Sequence, residues 1–272
     1  MKKYLFLMLV FPFFLSCNND EKKARMYLTH ANELYENADY ASAKLKLDSI
    51  KLLYPKQLNM QQESLRLMRL IEWKEQERNL AYCDSVLIVR QQESEALKPE
   101  FIFEKTEYDE VGKYFDKKQK VENNLQKSYL RVWTDEFGGI VLASVYYGAK
   151  PLNHSGLKVS DPATGEFAET QLIPDDGGLN YSFKDLGMTT EIVSYSKEKD
   201  NGVILFICDR KDKPLKAEFL GGGKYSITIS SSDKNALTKT VEFSSILSDI
   251  EHLKKEKEKA AKRIEYLRKK LS

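Results

Sequence analysis

Residues 246–271 carry an apolar seam at alternating steps of four and three, through Ile246, Ile250, Leu253, Lys257, Ala260, Ile264, Leu267 and Leu271, with Lys257 as its one polar member. A seam that recurs every 3.5 residues holds one narrow face of a helix toward a partner helix. The 26 residues from the first to the last of these positions would extend roughly 39 Å at 1.5 Å per residue. The spacing therefore predicts a coiled-coil helix over 245–272, and that helix needs a partner. Segment 101–127 is read as a stalk helix of nearly equal length, with Tyr108, Val111, Phe115 and Leu125 as a thin apolar stripe. The expectation is that the two run antiparallel and raise the intervening residues on a stalk. The alternative is self-association through a second copy of the chain, with Lys257 tuning register.

The intervening residues have a different texture. After Ser128, short runs rich in Val, Ile, Tyr and Thr are punctuated by Gly138-Gly139, Pro162, Asp176-Gly177-Gly178, Asn201-Gly202 and Gly221-Gly222-Gly223. Runs of that length between turn residues predict an antiparallel β domain over 128–244, with strands near 129–134, 139–147, 156–160, 167–172, 180–184, 190–196, 203–209, 215–220 and 224–230. Residues 140–143 and 203–207 are apolar at every position, so both are expected as central strands covered on each face. A β-sandwich accommodates the pattern.

Residues 24–100 are expected to be helical. Over 24–53 the apolar residues recur at helical spacing, and Asn37-Ala38-Asp39 separates two amphipathic segments, which predicts a helical hairpin. Tyr27, Ala31, Leu34, Tyr40, Ala43, Leu47, Ile50 and Pro55 stand at the spacing of one tetratricopeptide repeat, which this hairpin resembles over about 34 residues. Ala38 stands where that family often has Gly, and no second copy follows. Two readings stay open: a hairpin packed on the next helix, or a repeat that grips a partner's peptide. Helix is expected to continue over 57–97, until Pro99 breaks it. The fold class that emerges is α+β: an N-terminal helical hairpin with long helices, an antiparallel β-sandwich-like domain and a C-terminal coiled-coil helix.

An address precedes the folded part. Lys2 and Lys3 stand before an apolar run over 4–15, followed by Ser16 and Cys17, in the order of a secretory signal. That run is too short to span a bilayer, which takes roughly 20 residues. Phe14-Leu15-Ser16-Cys17 resembles a bacterial lipobox, although Phe14 replaces the usual Leu and Leu15 the usual small residue. The resemblance implies a signal over 1–16, a diacylglyceryl group on Cys17 and a polar tether over 17–23. An ordinary signal ending near the same point is the alternative. The membrane is then a partner through Cys17, and the place is the cell envelope, the outer membrane with its face left open. Cys83 and Cys208 remain as thiols, expected free and buried, although one disulfide between them is conceivable in an oxidising compartment.

Charge excludes one class of function. The chain has 43 Lys+Arg against 41 Asp+Glu. Loss of residues 1–16 removes Lys2 and Lys3 and no acid, which leaves a neutral chain with no general grip on nucleic acid. The one basic concentration is residues 249–272, with nine Lys/Arg against five acids, read as a solvated helix face or a contact with anionic headgroups.

Chemistry is sparse. His30, His154 and His252 each lack a second ligand at metal-binding spacing, so no metal or other cofactor is expected. His154 is expected in a loop between strands, capping a turn. No nucleophile elbow accompanies it, and no catalytic residue is assigned. Asp175-Asp176 beside Gly177-Gly178 reads first as a turn, then as a low-affinity calcium loop and last as an acid/base pair, and Gly221-Gly222-Gly223 reads as a hairpin turn, because no P-loop Lys-Ser/Thr follows. The candidate ligand-binding residues are Trp133, Tyr146, Tyr147 and Tyr181, whose rings could form a platform for sugars or could fill a core.

The order of lipidated cysteine, helical hairpin, long helices, β domain and terminal helix resembles an uncharacterised family of Bacteroidota-type envelope lipoproteins. The run Val145-Tyr146-Tyr147-Gly148-Ala149-Lys150-Pro151-Leu152-Asn153-His154, followed by Leu157-Lys158-Val159, carries that likeness. It implies location and architecture, and no activity. The functional expectation is a membrane-anchored, non-enzymatic protein-interaction or scaffolding module for an unknown partner. A carbohydrate-binding accessory using the β domain and a structural spacer are the alternatives.

Overall fold

A computed structural model describes residues 17–272. The described chain is α+β and divides into two compact units, one built from the residues up to Asp84 together with Lys255–Ser272, the other from Ser85–Lys254. The signal expected over 1–16 lies outside the described residues. Among the described residues, no helix is long and apolar enough to cross a membrane.

The first unit begins with the helical hairpin. Helix α1 (Cys17–Glu36) already includes the residues expected as a polar tether, 17–23. Helix α2 (Tyr40–Leu53) starts at Asp39, whose side chain accepts a hydrogen bond from Ser42 N. Between them Ala38 turns the chain at φ 57°, a left-handed value that explains why glycine suits this position. Ala31 and Ala43 are fully buried, so the two helices approach closely, and Leu47, Ile50, Met60, Leu67 and Ile71 complete the core. The last three belong to α3 (Leu58–Leu97), which covers the hairpin. Tyr27 and Leu34 pack against this same core.

Helix α5 (Ser231–Leu271) is longer than the expected 245–272 and is bounded at its start by Ser230 and Asp233. Its seam finds a partner inside the chain. In the first unit Ala260 and Leu267 are buried, Arg263 makes a two-pronged ion pair with Glu72, and Lys257 pairs with Asp84 at 2.5 Å. The residues on α3 fall in sequence as those on α5 rise, which makes the pair antiparallel. The seam therefore packs on α3 and not on 101–127, so the stalk expected from that pair of helices is not formed. Lys257 sits half-exposed at the seam's edge and its charge is met by Asp84.

The segment 101–127 is not a helix. It forms β1 (Phe101–Glu104) and β2 (Lys113–Asp116), paired antiparallel, then two 3₁₀ turns at Lys117–Gln119 and Val121–Asn124. Gly112 interrupts any helix here, and the four apolar residues of the stripe are too few to support one. The aromatic residues Phe101, Phe103, Tyr114 and Phe115 instead suit a pleated surface. Phe101 stacks on Phe243 of α5 at 4.6 Å between ring centres, and Tyr114 meets the same ring edge-on at 5.1 Å.

The β unit holds two antiparallel sheets. With β3 (Tyr129–Asp135), β4 (Ile140–Gly148), β7 (Asn180–Asp185) and β8 (Met188–Tyr195), the larger sheet runs β1-β2-β3-β4-β8-β7. The smaller, of β5 (His154–Ser160), β6 (Phe167–Glu169), β9 (Lys216–Gly221) and β10 (Tyr225–Thr228), runs β10-β9-β5-β6. Alternate residues of both sheets fill one core: Leu130 and Val132, Leu142 and Tyr146, Val193 and Tyr195 from one side, Leu157, Val159, Ala217 and Phe219 from the other. Each of the larger aliphatic members contributes about 1.5–3 kcal/mol by leaving water.

One expected central strand, 203–209, is instead helix α4 (Val203–Asp209). Asn201 and Gly202 both take positive φ and start it, and Val203, Ile204 and Ile207 face the core while Leu205 is exposed. That spacing is helical. A run apolar at every position does not distinguish a buried strand from a short buried helix, and packing decided against β propensity here. Cys208 therefore ends a helix. Cys83 and Cys208 are both free, Cys83 buried and Cys208 half-buried, and burial pushes the Cys208 thiol up.

Candidate functional site

The pleat of the six-stranded sheet sends alternate residues to a second face, away from the sandwich core. Strand register assembles that face in rows. Phe115, Trp133 and Val141 form one, Arg131, Ala143 and Ser194 the next, then Tyr129, Val145, Ile192 and Tyr181, then Tyr147, Thr190 and Phe183. The second row has two small residues, Ala143 and Ser194, so the floor dips between the aromatic rows on either side. Val121 of the second 3₁₀ turn and Leu125 and Lys127 after it also line the space, and the result is a concavity of about 810 Å³. That volume falls in the range of small-molecule pockets, roughly 300–1,000 Å³.

Three of the four residues singled out in the sequence meet here: Trp133, Tyr147 and Tyr181 line this concavity. Tyr146 does not. It neighbours Tyr147 in β4, so the pleat turns it into the sandwich core, where its hydroxyl donates to Lys150 O at 2.9 Å and its ring meets Tyr225 edge-on. Burial pushes its phenol up. Residues 140–143 do form a central strand, but their outer face is the floor of a cavity rather than the underside of a protein layer.

Arg131 is the residue that sequence reasoning missed. Its guanidinium carbon lies 4.2 Å from the centre of the Phe115 ring and 6.0 Å from that of Trp133. Its Nε is buried and has no hydrogen-bond partner. An arginine within an otherwise apolar and aromatic strand was the signal available.

A second cluster lies on the opposite, inner face. His154 is fully buried at the start of β5 rather than in a loop. Its Nδ1 is 2.8 Å from Glu191 Oε2, and its Nε2 is 2.9 Å from Ser144 Oγ, which lies 3.0 Å from the Tyr195 hydroxyl. Glu191 also accepts from the backbone N–H groups of Leu152, Asn153 and His154. Burial pushes the imidazole down, by more than Glu191 raises it, so His154 is neutral at pH 7. Burial pushes the Glu191 carboxyl up, and the hydrogen bonds from His154 and the three N–H groups outweigh it, leaving Glu191 below its usual value and ionised. Ionised Glu191 fixes the imidazole tautomer: His154 Nδ1–H donates to Glu191, Nε2 accepts from Ser144 Oγ, and the Tyr195 hydroxyl lies between Ser144 and Thr170.

Serine, histidine and carboxylate in that order match the connectivity of an acyl-transfer triad. The Ser144 side chain is 0% exposed, however, and belongs to the sandwich interior. The cluster instead pins residues 152–154 to β8. Asp176, one of the paired carboxylates, accepts from Gly178 N and Asn180 N and shapes a turn. Gly221-Gly222-Gly223 joins β9 to β10 as a hairpin. Among the described residues no group of three His, Cys, Asp or Glu side chains converges as a metal site would require.

Comparison of the chain with protein-family models, with curated protein sequences and with solved structures finds no match in any of the three.

Proposed function

We propose that the chain is a lipid-anchored, non-enzymatic binding protein of the cell envelope, and that its β unit takes a small ligand on the outer face of the six-stranded sheet. The observation that carries this reading is the 810 Å³ concavity floored by Val141, Ala143, Val145 and Ile192 and walled by Trp133, Tyr147 and Tyr181. A surface of that kind is costly to leave in water, and its partner groups are apolar faces. Binding is favoured over acyl transfer because the triad-like cluster of Ser144, His154 and Glu191 has its hydroxyl sealed in the core. The anchor follows from the lipobox-like run ending at Cys17, and incorporation of labelled palmitate, lost in Cys17→Ala, tests it separately.

The test of binding uses the full chain carrying Cys17→Ala, purified without detergent, and the neutral dye Nile red. The expected result is bright, blue-shifted emission that Ile192→Trp, which fills the floor, weakens by about tenfold, or 1.4 kcal/mol. Thermal unfolding at an unchanged temperature certifies the variant's fold. No dye binding, or equal binding by a folded Ile192→Trp protein, overturns the reading.

A further inference from the structure

The ligand class follows from where the charges lie around this concavity, an inference that rests on the binding reading above. The β2–β3 side carries the cations Lys113, Lys127 and Arg131 against the acids Glu104 and Asp109, a net positive side, whereas the lining from β4, β8 and β7 has no Lys or Arg at all. Lys113 is already held by Asp109 at 2.8 Å. Lys127 stands 6.0 Å from the centre of the Tyr129 ring, on the same side as Arg131. Arg131 packs its guanidinium on Phe115, which supplies no acceptor, and its buried Nε has none from the protein. Arg131 is part-exposed and lines the concavity, so a small turn of the side chain presents the guanidinium edge to carboxylate or phosphate oxygens in a two-pronged way and gives the buried Nε the acceptor that it lacks. The one acid on the far side, Asp185, would repel the same head group and so orients it.

The rest of the floor suits hydrocarbon. Val141, Val145 and Ile192 are aliphatic, and Thr190 and Ser194 are the hydroxyls that β8 contributes among them. A sugar ring would need acceptors and donors for each of its hydroxyls, and burying those hydroxyls unpaired is unfavourable. An acyl chain needs none. Crossing from β3 over β4 and β8 to β7 takes three strand spacings, roughly 14 Å at 4.8 Å each, the reach of a medium-length chain. Ala143 and Ser194, beside Arg131 in the same row, leave the depth in which the chain's first carbons would lie.

We propose that the ligand is a single-chain anionic amphiphile, its acid head on Arg131 with Lys127 beside it and its hydrocarbon chain laid across β4, β8 and β7.

The experiment displaces Nile red from the full-length Cys17→Ala protein with dodecanoate, dodecyl phosphate, dodecyltrimethylammonium and a neutral trisaccharide, each amphiphile below its micelle-forming concentration. The expected result is displacement by an anion at a concentration about tenfold or more below that of the cation. Arg131→Gln should abolish that preference while the dye still binds. Preference between dodecanoate and dodecyl phosphate then identifies the head as carboxylate or phosphate. Equal displacement by anion and cation, an anion preference unchanged in Arg131→Gln, or displacement by the trisaccharide alone overturns the proposal and leaves a ligand site of another kind. Absence of dye binding removes the site itself, so the two failures are distinguishable.

Discussion

Glu191 receives four hydrogen bonds from residues 152–154, through both of its oxygens, and His154 contributes two of them. A carboxylate in the interior is tolerable only with such a set of donors. Glu191→Gln replaces one accepting oxygen by an amide that faces N–H groups, and Glu191→Ala leaves all four donors unsatisfied. We expect each to destabilise the β unit by about 3 kcal/mol or more, read as a fall in the denaturant midpoint at constant slope. A change under about 1 kcal/mol in Glu191→Ala would show that this cluster does not hold the 152–154 segment.

The same pair makes stability depend on pH. His154 has a folded pKa below the ordinary value of 6.5, so below about pH 6.5 the unfolded chain binds a proton that the native protein refuses. Stability therefore falls as pH drops through that value. Glu191, whose carboxyl is also depressed, adds a second loss as pH falls below its ordinary value of 4.5. Chemical denaturation between pH 5 and 8 should show the first loss in the native protein. His154→Gln, although less stable overall, should lack it, and an identical slope in both proteins would refute the assignment.

Gly138 turns β3 into β4 at φ +87°, and a Cβ there would lie 2.4 Å from Ser248 N and 2.5 Å from Ser244 O of α5. Its own carbonyl accepts from Ser244 Oγ at 2.7 Å, which locks the turn to the helix. Backbone cannot yield as a flexible side chain would. Gly138→Ala should cost about 2–4 kcal/mol, from strained φ and overlap together, whereas Gly165→Ala, at positive φ with open space around it, should cost about 1 kcal/mol. Thermal melts of the two variants side by side check the difference.

Lys239 bridges Glu100 at 2.6 Å and Asp116 at 3.2 Å, and Asp116 is 1% exposed. Removing the ammonium leaves a buried carboxylate opposite a methyl group. Lys239→Met should destabilise by about 3 kcal/mol, and adding Asp116→Asn should recover part of that loss, a coupling measurable in a double-mutant cycle. Additive effects of the two substitutions would mean that Glu100 alone carries the interaction.

Local patterns carried the helices well. The steps of four and three in 246–271 marked a seam, and the Asn37-Ala38-Asp39 break marked the hairpin, because a 3.6-residue period writes itself directly into apolar spacing. They mislead at 101–127, where a thin stripe has the length of a helix but too few apolar residues to support one, and at 203–209, where Val203-Ile204-Leu205-Phe206-Ile207 has no period to read. At the site, the alternation of β4 separates Tyr146 from Tyr147, and that separation was available from the sequence once the strand was located.

By itself, the sequence determined an α+β chain, its hairpin, its long terminal helix, most of its strands and the aromatic residues from which a site could be made. Only the tertiary structure decided that α3, rather than 101–127, partners the seam of α5, that β1 and β2 extend the larger sheet, and which face of β4 is left uncovered. It also decided that Ser144, His154 and Glu191 meet in the interior and that Arg131 stands over Phe115 with its Nε lacking an acceptor. The reason is physical: helix periodicity and turn chemistry are set by neighbours a few residues apart, whereas strand register, the choice of covered face and the pairing of buried charge depend on contacts between residues far apart in the chain, for which no local pattern codes.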